Sequence, residues 1–399
     1  MNARVAVPSF ELPQAGAIRS ALNSDHKLLQ IIIGPRQVGK STLARQIAAK
    51  WGGAVVDASA DDPVPPGPEW VRHHWERARA TRNATPLLIL DEIQKVKGWS
   101  ETIKALWDED VRLGRMMNVL VLGSSSLLIQ RGLSESLAGR FLLHRIPHWS
   151  YGEMRSAFGL DLNRWIYTGG YPGTVPFLKQ EDTWKRYVRD SLVETVITRD
   201  VLQMQTVAKP ALLRHLFFLS AAYPAQILSY NKMLGQLTDA GNTTTLANYI
   251  RLLDAAFLLT GLEQYKIGGR PKRGSSPKLV LRNNALVNAL GLHTYEQGRS
   301  DPELWGRLVE NAVGATLLNQ LQGLPWEVYY WRKANDEVDF VVHTARDTWA
   351  VEVKSSRTRR TSGLQTFLKL HPRAKPLILG GSGMDLEEFF LTPMEELFS

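Results

Sequence analysis

At 399 residues the chain is too long for one comfortable core, so two or three domains are expected. A content of 44% hydrophobic and 22% charged residues is ordinary for a soluble globular protein, and no apolar run approaches the roughly 18 residues of a membrane span. The absence of cysteine excludes disulfides, thiolate zinc sites and cysteine nucleophiles together. With no signal-like apolar segment behind Arg4, a cytoplasmic location is expected, and the net charge of +9 favours polyanionic partners, nucleic acid above all.

In chain order, Leu28–Ile33, Ala54–Asp57, Pro86–Leu90 and Asn118–Leu122 read as buried parallel strands. Segments Ser41–Trp51, Glu69–Thr81, Ser100–Arg115 and Leu133–Arg140 read as the helices between them. The alternation predicts a doubly wound α/β sheet over residues 1–159. The Pro/Gly-rich stretch Asp61–Glu69 is a surface loop. Residues 160–206 turn helical around a Gly/Pro turn at Thr168–Gly173. Residues 207–294 hold helices Ala211–Ala222, Ser229–Ala240 and Thr243–Ala256, then the extended pair Leu258–Tyr265 and Pro277–Leu281. Three helices followed by a hairpin resemble a winged helix-turn-helix. Residues 295–399 read as a helix, three or four strands and a further helix, a small α/β domain.

Ile31–Ile33 runs directly into Gly34-Pro35-Arg36-Gln37-Val38-Gly39-Lys40-Ser41, and a helix follows. This is G-x-x-x-x-G-K-[ST] in strand–loop–helix context, a phosphate cradle for ATP. Its glycines let backbone N–H groups curl around the phosphates, and the helix N-terminus adds a positive dipole. Lys40 is expected on the β- and γ-phosphates and Ser41 on Mg²⁺. The strand ending in Asp91-Glu92 supplies a second Mg²⁺ group, Asp91, and a water-polarising base, Glu92. Gly123-Ser124-Ser125-Ser126 caps a third strand, where Ser124 or Ser125 either orients the lytic water or caps the next helix. Arg140 is either an arginine finger for a neighbouring subunit's γ-phosphate or a plain surface residue, with Arg131 in reserve.

The sequence resembles the bacterial and archaeal ATPases that join an AAA-type domain to a region named domain of unknown function 4143. The matching pieces are Gly34–Thr42, Leu87–Gln94, Gly123–Ser126, Leu137–Arg140, Thr168–Gly173, Thr198–Val201 and Glu337–Lys354. The resemblance implies a P-loop AAA-type ATPase core, a helical lid over 160–206, a winged helix and a nuclease-like C-terminal fold, with Thr42 included in the nucleotide site. Ser124–Ser126 departs from the asparagine that many AAA proteins carry there.

In the winged-helix segment, Asn242 or Thr243 caps a second helix that presents Thr244, Thr245, Asn248 and Arg251 to a DNA groove. The loop after Tyr265 adds Lys266, Arg270, Lys272, Arg273 and Lys278 as phosphate contacts. Protein–protein contact and a merely solvated loop compete with that reading. Near the C-terminus, Asp339 and the pair Glu352 and Lys354 fall on adjoining strands, with period two placing Glu352 and Lys354 on one side. Two carboxylates for Mg²⁺ and a lysine beside the attacking water are similar to the PD-(D/E)xK nuclease pattern, with Glu310 as the extra carboxylate. The competing reading is a nuclease fold kept as a binding module. Arg357, Arg359 and Arg360 are DNA-backbone candidates. The expected protein is an ATP-hydrolysing, DNA-engaging homo-oligomer; the alternative is an ATP-gated switch that recruits a protein partner.

Overall fold

In the computed structural model, side chains and backbone are described for residues 10–399 except 26, 82–84, 116, 125–128, 130–132, 134–135, 203–206, 238–240, 267–269, 272–274 and 355–361; for 270–271 only the backbone is described. The candidates Ser125, Ser126, Arg131, Lys272, Arg273, Arg357, Arg359 and Arg360 therefore lie outside the described residues. The chain divides into two compact units, Met1–Ile146 and Pro147–Ser399.

The first unit is built on five strands: β1 Leu29–Ile33, β2 Val55–Ser59, β3 Leu87–Asp91, β4 Asn118–Gly123 and β5 Phe141–Arg145. Every pairing is parallel and the order is β2-β3-β4-β1-β5. β1 and β4 are buried throughout and β3 up to Leu90, whereas the edge strand β2 alternates exposed and buried residues. A strand covered on both faces needs a continuous apolar run; an edge needs less. The helices are α1 Gln14–Leu22, α2 Lys40–Ala49, α3 Pro68–Arg79 and α4 Trp99–Leu113. Pro68 starts α3 and Gly114, at φ 63°, closes α4. Asp110 ties these two together: it accepts from Trp75 Nε1 at 2.7 Å and from Arg79 Nε at 2.9 Å. The expected helix end at Arg140 is instead a turn with Gly139 at φ 76°, and the fifth strand starts at Phe141.

The second unit begins with α5 Tyr151–Phe158, opened by a Ser150/Glu153 capping box, and α6 Leu162–Thr168. Gly169 follows at φ 71°; a Cβ there would lie 1.7 Å from Asn283 Oδ1, which accounts for the glycine turn. α7 Glu181–Arg186 continues into π-type turns over Tyr187–Val193 and Val196–Val201. Next come α8 Pro210–Ala222, β6 Gln226–Ile227, α9 Tyr230–Gln236, α10 Thr243–Ala255, β7 Leu259–Leu262, the ribbon β8 Tyr265–Lys266 and β9 Arg270–Pro271, and β10 Lys278–Leu281. β10 lies antiparallel between β6 and β7. The helix expected to reach Ala240 stops at Gln236, where Leu237 turns extended.

α11 Ala285–Asn288, α12 Tyr295–Ser300 and the long α13 Pro302–Gln320 follow. Buried asparagines knit them to α6: Asn284 donates to Ile166 O at 2.6 Å, Asn288 to Tyr167 O at 2.6 Å and Asn311 to Asn284 Oδ1 at 2.7 Å. The last sheet has the order β11 Glu327–Lys333, β12 Asp336–His343, β13 Thr348–Val353 and β14 Lys375–Leu379, antiparallel except for the parallel β13/β14 pair. α14 Ser362–Leu370 lays Leu364 and Phe367 on Trp331, Val338 and Ala350. Among the described residues no helix is long and apolar enough to cross a membrane.

Candidate functional site

The first candidate site forms where β1 leaves the sheet. Ile146 N donates to Ile33 O at 2.8 Å, bringing the exit of β5 against the loop, and a Cβ on Gly34 would stand 2.0 Å from Ile146 O. Gln37 and Gly39 adopt left-handed φ of 63° and 87°, curling Gly34–Gly39 around the start of α2. Gly39 has no side chain to cap the first-turn N–H groups, which leaves the helix N-terminus ready for an anion. Lys40 is buried and points into the loop, its Nζ donating to Gly34 O at 2.9 Å and Pro35 O at 2.7 Å. Arg36, Val38 and Thr42 belong to the same loop–helix segment.

Adjacent strands deliver the acidic half. Ser41 Oγ donates to Asp91 Oδ2 at 2.6 Å, and Asp91 Oδ1 accepts from Glu92 N at 2.8 Å. Glu92 Oε2 accepts from Gln94 Nε2 at 2.6 Å and from Ser124 Oγ at 3.2 Å. The side-by-side hydroxyl and carboxylate are hard oxygen donors of the kind Mg²⁺ takes. On β2, burial and then the charge of Asp91 raise the Asp57 carboxyl above its usual range.

Arg140 lies elsewhere. β5 pairs Phe141 with Leu29, so Arg140 sits at the start of the parallel strands and the phosphate loop at their end. Its guanidinium grips Asp108 on the surface, at 2.8 and 3.1 Å.

On α10, Leu246, Tyr249, Ile250 and Leu253 are buried, while Thr244, Asn248 and Arg251 share the exposed side. They line an open cavity of about 780 Å³ with Ser229, Tyr230 and Ser276. Thr245 is committed locally, its N and Oγ1 both bonding the N-cap Asn242 Oδ1 at 2.8 and 3.1 Å.

The C-terminal candidates come together around a cavity of about 440 Å³ lined by Glu310, Glu337, Asp339 and Glu352. Carboxylate oxygens of Glu310, Glu337 and Asp339 lie within 4.8 Å of one another. Lys354 Nζ donates to Glu352 Oε1 at 2.6 Å, and Asp339 Oδ2 accepts from Val353 N at 2.8 Å. Lys278 does not belong to the exposed basic wing as expected. It is fully buried, because its ammonium has neutralising partners inside: Glu310 Oε1 at 2.6 Å, Glu337 Oε1 at 3.2 Å and Asp339 O at 3.1 Å. Burial lowers its pKa, but Glu310, Asp339 and Glu337 more than offset that and raise it. Burial and Asp339 push Glu310 up to about 8 and Glu352 up to about 7.

Residues 26–155 match the family described as an AAA domain. Residues 159–297 match a domain of unknown function (DUF8612) and residues 305–396 another (DUF4143). The chain carries an AAA domain and a DUF4143 region. An uncharacterized protein of Mycobacterium tuberculosis is 28% identical over 376 residues, covering 90% of this chain and 77% of that one. An uncharacterized protein of Haemophilus influenzae is 24% identical over 305 residues, with coverages of 73% and 72%. Among solved structures, the RuvB Holliday junction branch migration motor of Thermotoga maritima aligns with a TM-score of 0.34 at 16% identity, over 65% of this chain and 90% of that one.

In the AAA domain, the residue that sequence reasoning missed is Gln94, whose amide joins Glu92 to Ser124. Three residues past a strand end, its signal was only a polar side chain in a short 3₁₀ turn. In the DUF4143 region it missed Glu337, two positions before Asp339 and so on the same side of β12, which the period of two does signal.

Proposed function

We propose that the chain hydrolyses ATP with Mg²⁺ in its AAA domain and couples the cycle to engagement of DNA. The carrying observation is the 2.6 Å contact of Ser41 Oγ with Asp91 Oδ2 beside the loop that encloses Lys40 Nζ. Ser41 and Asp91 would hold Mg²⁺, which supplies charge neutralisation at the β- and γ-phosphates. Lys40 exchanges the Gly34 and Pro35 carbonyls for phosphate oxygens. Glu92 polarises the attacking water, and Gln94 and Ser124 fix where its carboxylate points.

Arg140 serves a neighbouring copy in a homo-oligomer, since β1 alone separates it from its own phosphate loop by about 13 Å at 3.3 Å per residue. In this reading 1–159 is the ATPase core, 160–206 a lid and 207–294 a winged helix. Thr244, Asn248 and Arg251 would face the groove, Thr245 being held to the N-cap Asn242, and the loop basics Lys272 and Arg273 would serve as phosphate contacts. The three-helix, three-strand arrangement and the exposed polar side of α10 support it. Region 295–399 is PD-(D/E)xK-like in its donor set, with Glu310, Asp339 and Glu352 as acidic donors and Lys354 beside them.

The test is ATP turnover with and without single-stranded, duplex and branched DNA at two salt concentrations. Turnover stimulated by DNA and weakened by salt is expected. Turnover indifferent to DNA would replace this reading with a switch that recruits a protein partner; no Mg²⁺-dependent turnover would overturn the hydrolase itself.

A further inference from the structure

Lys278 opens β10, a strand of the β6-β10-β7 sheet, yet its side chain is 0% exposed and its ammonium ends among acids from α13 and β12. Nζ stands 2.6 Å from Glu310 Oε1, 3.2 Å from Glu337 Oε1 and 3.7 Å from Asp339 Oδ1. These three residues offer oxygens within 4.8 Å of one another, a spacing that serves a single cation, and the ammonium is the cation they share. A second observation shows spare capacity: Glu352 Oε2, on a residue only 8% exposed that lines the same cavity, has no hydrogen-bond partner among the described residues. Its other oxygen is taken by Lys354. Four carboxyl groups thus meet the ammonium groups of Lys278 and Lys354, with Arg332 and Arg307, the latter paired to Glu303, also lining the cavity.

We propose that Lys278 is the resident cation of the C-terminal centre, a tethered ammonium that holds the ground a divalent metal would occupy and so excludes it. An ammonium neutralises the carboxylates but offers no open coordination position and cannot make a nucleophile of bound water, as a metal does. With Lys278 in place the centre is a charge-neutralising joint between β10 and the α13–β12 wall. For the choice of a divalent cation this rests on the PD-(D/E)xK-like reading of the region; it needs no cleavage activity.

The experiment is Mn²⁺ binding by calorimetry to the full chain without nucleotide, in an Asp91→Asn background that removes the nucleotide-site donor. Lys278→Met is expected to bind one Mn²⁺ at least on the order of tenfold more tightly than the Lys278 chain. A further Asp339→Asn change should abolish that gain. Equal affinity with and without Lys278 overturns the exclusion while leaving a metal site standing. No binding by either folded chain overturns both the exclusion and the metal-site reading. Should Lys278→Met fail to fold without metal, recovery of helical circular dichroism by Mn²⁺, and not by Na⁺ at equal ionic strength, supports the proposal; no recovery overturns it.

Discussion

Replacing Gly34 by alanine puts a methyl group where the phosphate loop has no room. The new Cβ would lie 2.0 Å from Ile146 O and 3.1 Å from the Ile146 carbonyl carbon, against an ordinary carbon–oxygen approach of about 3.3 Å or more. Something must retreat by about 1 Å. Ile146 yields poorly, because its N–H is bonded to Ile33 O at 2.8 Å directly beyond β5. The loop therefore moves, and with it the Gly34 and Pro35 carbonyls that hold Lys40 Nζ. Overpacking of this kind costs about 1–3 kcal/mol, and a 1 Å displacement in a catalytic loop costs on the order of 10²-fold in turnover. Gly39→Ala should also destabilise, by about 1–2 kcal/mol, but for a different reason. Its Cβ has space, with Thr42 Cβ nearest at 3.9 Å, while φ of 87° strains any L side chain. Gly16→Ala in α1 meets nothing within 4 Å and should stabilise by about 0.5–1 kcal/mol. Urea unfolding, together with fluorescence titration of an ATP analogue, reads all three. A Gly34→Ala chain with unchanged midpoint and nucleotide affinity would refute the packing argument.

Three further outcomes follow from the same geometry. Asp91→Asn should keep ATP binding within about tenfold and lower Mg²⁺-dependent turnover by on the order of 10²-fold or more, since it weakens the charge that faces Ser41; unchanged turnover would move the metal elsewhere. Arg140→Ala should leave nucleotide affinity and fold intact, its Asp108 partner being an exposed one, and slow turnover by on the order of 10³-fold. Mixing it with Lys40→Ala chains should restore activity, and no recovery would refute action between subunits. Glu310 and Glu352, raised from 4.5 to about 8 and about 7, keep protons that the unfolded chain loses, so stability falls as pH rises through those values. His74, His144, His293 and His371, held below their usual value chiefly by burial, act with the opposite sign and over the histidine range, gaining stability as pH rises through it. The thermal midpoint should therefore drop between pH 7 and 9, and less so in Glu310→Gln; a level or rising midpoint refutes the assignment.

The interior of the AAA sheet was legible because burial on both faces forces apolar runs such as Leu87–Leu90, and because the loop glycines have steric duties that no other residue meets. The fifth strand was not. Phe141–Arg145 sits at an edge, half-exposed, with His144 bonded to Gln30 and Arg145 at its end, so no buried run marks it. β6 is two residues long and exists only because β10 offers it a partner. Lys278 illustrates a deeper limit. It follows a loop rich in basic residues, and charge counting puts it on the surface with them, but Glu337 lies 59 residues away and only the tertiary fold delivers it. A buried cation is legible only from both sides of its pairing.

The neighbouring acids Asp91 and Glu92 show how one backbone conformation sends two adjacent side chains to different partners. Continued as strand, the chain would carry Glu92 onto the opposite face of the sheet from Asp91, since side chains alternate. Instead Glu92 takes φ 53° and ψ 36°, a left-handed conformation costly for a residue with a Cβ, and the chain turns at once into the 3₁₀ segment Ile93–Lys95. Asp91 then faces Ser41 across from β1, while Glu92 is delivered sideways to Ser124 at the end of β4. The strain is held by what surrounds it. Glu92 N bonds back to Asp91 Oδ1, Gln94 bridges to Ser124, and Gly123 is kept bare because a Cβ would meet Ile129 Cδ1 at 2.0 Å and Gln94 Oε1 at 2.5 Å. The proposed metal donor and water-directing carboxylate would thus be consecutive residues that point to different partners.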